Sequence, residues 1–206
     1  MYDAAADQKL WTSFLESLAL ETGGHAAAIV MHDSGQRTMA LDAGVGPEFS
    51  LCYRQHYHET DIWAIRGLER TAAGWIGVSE ELCRWEEFRR TETYNDFALP
   101  MGSIAHGMFA LLSKEQSRLM NLSVFRTPRQ GPFDEEDVEV LRFLAPHLRR
   151  AFRLHFQLVS LQERNRSFDL LLDSLPQGII LLGATGNVLH MNRAARQVCE
   201  PCDGLI

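Results

Sequence analysis

Residues 104–125 constrain the fold more than any other stretch. Ile104, His106, Met108, Ala110 and Leu112 alternate with Ala105, Gly107, Phe109 and Leu111. Beyond Ser113-Lys114-Glu115-Gln116, Met120, Leu122 and Val124 alternate with Asn121, Ser123 and Phe125. Period-two patterning on both sides of a polar turn predicts an antiparallel hairpin. Asn121 and Ser123 predict water on one of its faces. A similar pair stands near the start: apolar Ala26 to His32, turn chemistry at Asp33-Ser34-Gly35-Gln36, and a return from Arg37 to Leu41. Two hairpins need helices over their apolar surface.

The helices have their own signals. Residues 7–22 place Leu10, Trp11, Phe14, Leu15 and Leu18 at helical spacing, and Gly23-Gly24 stop the run. Residues 47–59 open on Pro47-Glu48 and set Phe49, Tyr53 and Tyr57 four apart, on one face. Short helices are expected at 62–69, 79–82 and 85–95, closed by Pro100-Met101-Gly102. Asp134, with Asp137 three residues on, opens a long helix that runs to about Leu172. Leu141, Leu144, Leu148, Ala151 and Leu158 fall near a seven-residue repeat in it, interrupted by His155. Pro146 removes a helical hydrogen bond, which predicts a kink or break near residues 142–146. After Asp173-Ser174-Leu175-Pro176 come strands at 178–182 and 188–191 and a short helix, Arg193 to Cys199, capped by Asn192. The last segment is too small to bury a core of its own. The expected fold class is α+β, an antiparallel sheet with helical layers. A long helix and a truncated second α+β unit follow it. The domain boundaries are 1–132, 133–173 and 174–206.

Charge and composition exclude several functions. The 206-residue chain carries a net charge of −7, a poor basis for gripping phosphates. Its one arginine-rich stretch, Arg142 to Arg166, follows the acidic run Asp134 to Glu139, which suits the dipole of a single helix. No positive start precedes an apolar core as in a signal peptide, and no run reaches about 18 apolar residues. A cytoplasmic location is expected, away from membranes, with the four cysteines reduced.

Ligand pockets combine aromatic walls with a few polar groups. Between the hairpins, Tyr53, Tyr57, Asp61, Trp63, Trp75, Trp85, Phe97 and Met101 supply both. The same aromatics fit a plain core, with Asp61 capping the next helix. His56 and His58 lack a third metal ligand nearby. Cys199-Glu200-Pro201-Cys202 lacks a second pair, and Cys52 and Cys83 read as half-buried thiols. No nucleophile elbow, phosphate loop or His-Glu-x-x-His occurs, so no catalytic residue, metal or cofactor is expected.

Three groups of residues carry a family resemblance. The first is Tyr94-Asn95-Asp96-Phe97, Pro100-Met101-Gly102 and His106. The second is Gly131-Pro132-Phe133, Asp137, Leu141, Leu144, Pro146-His147-Leu148 and Arg150-Ala151. The third is Leu172 to Ile179, Gly186-Asn187-Val188, Met191 to Ala195 and Asp203-Gly204-Leu205. In this order they resemble the sensory region of bacterial LuxR-type helix-turn-helix regulators: a GAF-like domain, then the opening of a PAS domain. The resemblance implies a small-molecule effector, a homodimer, and DNA bound only through a C-terminal domain outside this sequence. Tyr53, Tyr57 and Asp61 are similar to the aromatic-then-aspartate pattern of autoinducer-binding relatives, in which the aspartate holds the ligand amide. Ile62 stands where those relatives carry proline. The alternatives are a GAF–PAS module of a histidine kinase or cyclase, and a stand-alone GAF-type enzyme such as a sulfoxide reductase using Cys52 and Cys83.

Overall fold

The computed structural model describes residues 3–4, 7, 9–33, 36–70, 72–114 and 118–199. It divides into two units, residues 1–154 and 155–206. The long helix contributes to both.

In the first unit, helix α1 (Lys9–Glu21) leads into strands β1 (Ala26–Asp33) and β2 (Gln36–Ala43). Helix α2 (Pro47–Gln55), a 3-10 turn (Tyr57–Glu59) and α3 (Ile62–Arg70) follow. Next come β3 (Ile76–Val78), α4 (Ser79–Leu82), α5 (Trp85–Phe88) and a π-helical turn (Thr93–Ala98). Strands β4 (His106–Lys114) and β5 (Arg118–Arg126) complete a sheet ordered β2-β1-β5-β4-β3, and α6 (Glu135–Asp173) closes the unit. All four pairings are antiparallel. This is the α+β class with both expected hairpins.

Several expectations need correction. The sheet has a fifth strand, β3. With three residues centred on Gly77, it carries too little alternation to read from sequence. The helix expected over 85–95 is broken, because the Thr91 hydroxyl donates to the Phe88 carbonyl (2.8 Å) and accepts from the Tyr94 amide (3.1 Å), capping a new turn. The second hairpin turns later than expected. Ser113 and Lys114 are still paired, opposite Met120 and Leu119, after a register irregularity past Leu111, and Glu115 and Gln116 lie outside the described residues. Ser34 and Gly35 of the first turn lie outside them too. Finally, α6 runs through Pro146 without a break. Pro146 sits on the exposed side, where water can satisfy the carbonyl it leaves unpaired, while Leu141, Ala145 and Leu148 stay buried.

The helix-opening signal at Asp134 is realised as a reciprocal pair. The Asp137 amide donates to Asp134 Oδ1 (3.0 Å), and the Asp134 amide donates to Asp137 Oδ2 (3.1 Å). Arg126 fixes this corner. It donates to the Thr22 and Pro132 carbonyls (2.5 and 2.9 Å), pairs with Asp137 (2.9 Å), and lies 4.1 Å over the Phe133 ring.

The two faces of the sheet differ. One carries Ile29, Met108, Ala110, Leu122 and Val124, all fully buried. Beyond it lie the buried Trp11, Leu15 and Leu18 of α1, and Trp11 stacks on Phe152 of α6 at 3.9 Å. The other face carries Ala28, Phe109, Asn121, Ser123 and Phe125 beneath residues 49–98. Asn121 is half-buried, and Ser123 does not meet bulk water as expected. Ser123 is only 4% exposed, because the helical layer covers this face as well.

In the second unit, β6 (Ile180–Leu182) pairs with β7 (Val188–Met191), followed by α7 (Arg193–Cys199). Fully buried Asn192 ties these pieces together. Its Oδ1 accepts from the Ile179 and Ala195 amides (2.7 and 3.0 Å), and its Nδ2 donates to the Leu172 and Gln177 carbonyls (2.9 and 2.8 Å). Every hydrogen-bonding valence of the amide is used, as burial of a polar side chain demands.

Candidate functional site

Between the second face of the sheet and the helical layer of the first unit lies a cavity of about 110 Å³. A water needs only about 10–15 Å³ measured this way, so a small organic molecule can be accommodated. The sheet supplies Ala28, Val30, Phe109, Leu111, Asn121, Ser123 and Phe125 to its floor. Phe49, Tyr53, Asp61, Trp63, Phe88 and Phe97 are among the residues of its roof.

Local structure places each wall. Four-residue spacing stacks Phe49, Tyr53 and Tyr57 along one side, and all three pack around Phe97, with ring centroids at 4.5, 5.6 and 4.8 Å. Asp61 precedes α3 and caps it. Its Oδ1 accepts the Trp63 amide (3.0 Å) while its Oδ2 accepts the Tyr53 hydroxyl (2.7 Å). One carboxylate thus starts the helix, orients a wall tyrosine and faces the cavity. Trp63 stacks on Phe88 at 3.8 Å. Its indole Nε1 is buried without a protein acceptor.

Of the eight sequence candidates, the structure brings Tyr53, Asp61, Trp63, Trp75 and Phe97 together around the cavity. Tyr57, Trp85 and Met101 do not line it. They pack behind the aromatic cluster, with Trp85 against Tyr94 and His106. Sequence reasoning passed over the floor. Ala28, Asn121 and Ser123 were readable only as strand residues, and the signal that could have found them is the polar side of β5. Asn121 Nδ2 donates to Ser123 Oγ (2.8 Å), which leaves the serine hydroxyl free to donate. Thr93 shares a hydroxyl contact with Thr60 at 3.0 Å.

The electrostatics are simple. Among the described residues, the cavity wall holds the Asp61 carboxylate and no Lys, Arg or His. Nearby, burial first and a hydrogen bond to Glu87 second push the Cys83 thiol up to about 11. No group of three metal-binding side chains occurs among the described residues. His56 is exposed and paired with Glu92 at 2.5 Å. Cys199 is exposed, and Cys202 lies outside the described residues. No described helix is long and apolar enough to cross a membrane.

No protein-family model matches the chain, and no curated protein matches it. Solved structures do. The VqsR LBD domain from Pseudomonas aeruginosa aligns with a TM-score of 0.58 at 14% identity, over 75% of this chain and 91% of that one. SdiA in complex with octanoyl-rac-glycerol aligns at 0.53 and 11% identity, over 77% of this chain and 60% of that one. A GAF domain/HD domain protein from Geobacter sulfurreducens aligns at 0.50 and 12%, over 77% and 99%. At such identities the likeness speaks for the fold, and the fold is GAF-like.

Proposed function

We propose that this chain is the sensory part of a bacterial, cytoplasmic LuxR-type transcriptional regulator, and that the cavity binds a neutral, largely apolar small molecule carrying a hydrogen-bond acceptor. The observation that carries this reading is Trp63 Nε1, buried in a cavity wall without a protein acceptor. Such a donor costs roughly 1–3 kcal/mol when left unpaired, and an acceptor on a ligand removes the penalty. Asp61, with no cation among the described lining residues, disfavours anions. The fold shared with SdiA, whose structure holds an octanoyl glycerol, agrees with an apolar ligand. Binding favours one arrangement of the sensory unit, and α6 relays the shift to a DNA-binding domain. The regulator works as a homodimer, and the chain has no catalysis of its own. A reductase would need an attacking thiolate, and Cys83 holds its proton far above neutral pH.

The test is a thermal-shift series on the whole chain with 1-hexanol, 1-octanol and octanoate, beside native mass spectrometry of freshly isolated protein. The alcohols raise Tm by mass action and octanoate does not, and Trp63→Phe loses most of the shift. Equal shifts from octanol and octanoate, or none from either with no bound mass, would refute the pocket. A basic helix-turn-helix encoded downstream supports the output assigned here, and a catalytic domain there refutes it.

A further inference from the structure

The far half of α6 carries an apolar seam that its own unit leaves uncovered. Leu154, Leu158, Leu161, Asn165, Phe168 and Leu172 are spaced alternately four and three apart. Leu154, Leu158, Leu161 and Phe168 are between 41% and 56% exposed. Spacing of this kind is the a/d pattern of a coiled coil, with Leu158, Asn165 and Leu172 at a and the others at d. Over eighteen residues the seam is about 27 Å long.

Two features identify the occupant as a second copy of this chain. The first is Asn165, the one polar residue in the seam. In a parallel pair, a faces a, so the two Asn165 amides hydrogen-bond to each other; in an antiparallel pair, a faces d, and each amide would be buried against Leu161 or Phe168. A lone asparagine at a is a known device for fixing register and two-strandedness. The second is charge. Arg164 falls at g and Asp169 at the following e, the positions that meet across a parallel interface. Both are exposed, and Asp169 also lies 3.2 Å from His190 Nδ1. The charges are complementary only between copies in register.

Resting on the homodimer of the preceding section, we infer that residues 154–172 pair with the same residues of a second copy as a parallel, in-register two-stranded coiled coil locked at Asn165. Two copies of whatever follows the helix are then held side by side, which suits an output read by a symmetric pair.

Sedimentation velocity of the whole chain at roughly 50 µM tests the pairing. Wild-type protein runs as a dimer, and Leu161→Glu, at an exposed position that leaves the circular dichroism unchanged, weakens it about thirty-fold or more. Asn165→Leu tightens association but mixes oligomer sizes. Orientation is read by mild oxidation of Leu158→Cys and, separately, Asn165→Cys, each with Cys199→Ser and Cys202→Ser. Both form self-disulfides in a parallel pair. A monomer overturns the homodimer and the seam together. A dimer indifferent to Leu161→Glu, or one whose two cysteine variants fail to cross-link, keeps the homodimer and overturns the parallel seam. Ligand binding, read by the alcohol series, is independent of all these outcomes.

Discussion

The two faces of one five-stranded sheet have been put to different uses. On the first, side chains at Ile29, Met108, Ala110, Leu122 and Val124 are fully buried and apolar. On the second, the same strands present Ala28, Asn121 and Ser123 to a cavity walled by aromatics. Alternation makes this division possible, since each strand sends neighbouring residues to opposite faces. Stability can be concentrated on one face while the other keeps space and polar groups that a close-packed core would not tolerate.

The largest test of the contrast is Phe152→Ala, which removes a ring stacked on Trp11 behind the solid face. It should cost about 3–5 kcal/mol in denaturant unfolding. A loss under about 1 kcal/mol would mean that α6 contributes little to that core.

A matched pair sharpens the comparison further. Ala110 and Ala28 are both buried alanines of the same sheet, on opposite faces. Ala110→Val adds two methyl groups to a filled interior and should destabilise by about 1–3 kcal/mol. Ala28→Val adds them beside the cavity and should stabilise by about 0.5 kcal/mol or slightly more, while reducing the thermal shift given by 1-octanol. Effects of the same sign and size would erase the distinction between the faces.

Much of this division was legible beforehand, and what was hidden has identifiable causes. Alternation, apolar runs and turn chemistry predict four strands of this sheet, but β3 is three residues long and centred on a glycine. Four-residue spacing announced the Phe49, Tyr53, Tyr57 wall, yet only the first two line the cavity, because Tyr57 lies in the 3-10 turn past the end of α2. Asp61 is open to two readings, cap or pocket residue; it caps α3 and also lines the cavity. Ser123 misleads for a general reason: a polar residue on a strand reports a polar neighbour, and a cavity lined by aromatics with a few hydroxyls and amides meets that condition as well as water does. Of the kink or break expected at Pro146, the break is absent, because the cost of proline depends on whether the carbonyl it orphans faces solvent, which composition alone does not reveal.

The smallest expected effect separates the two faces by titration. The filled face holds no ionisable side chain among Ile29, Met108, Ala110, Leu122 and Val124, whereas the cluster around the cavity buries the Cys83 thiol. Its pKa is raised from 9.0 to about 11, chiefly by burial. The unfolded chain therefore releases this proton first. The stability due to Cys83 is complete below about pH 9 and is lost as pH rises from there through about 11. Urea midpoints at pH 8, 9 and 10 should fall more steeply for the wild type than for Cys83→Ala. Parallel slopes would show that the thiol ionises as easily folded as unfolded, so that the aromatic side of the sheet admits water freely. The proposed preference of its cavity for neutral, apolar molecules would then lose its basis, because Asp61 would be screened and Trp63 Nε1 would have solvent for an acceptor.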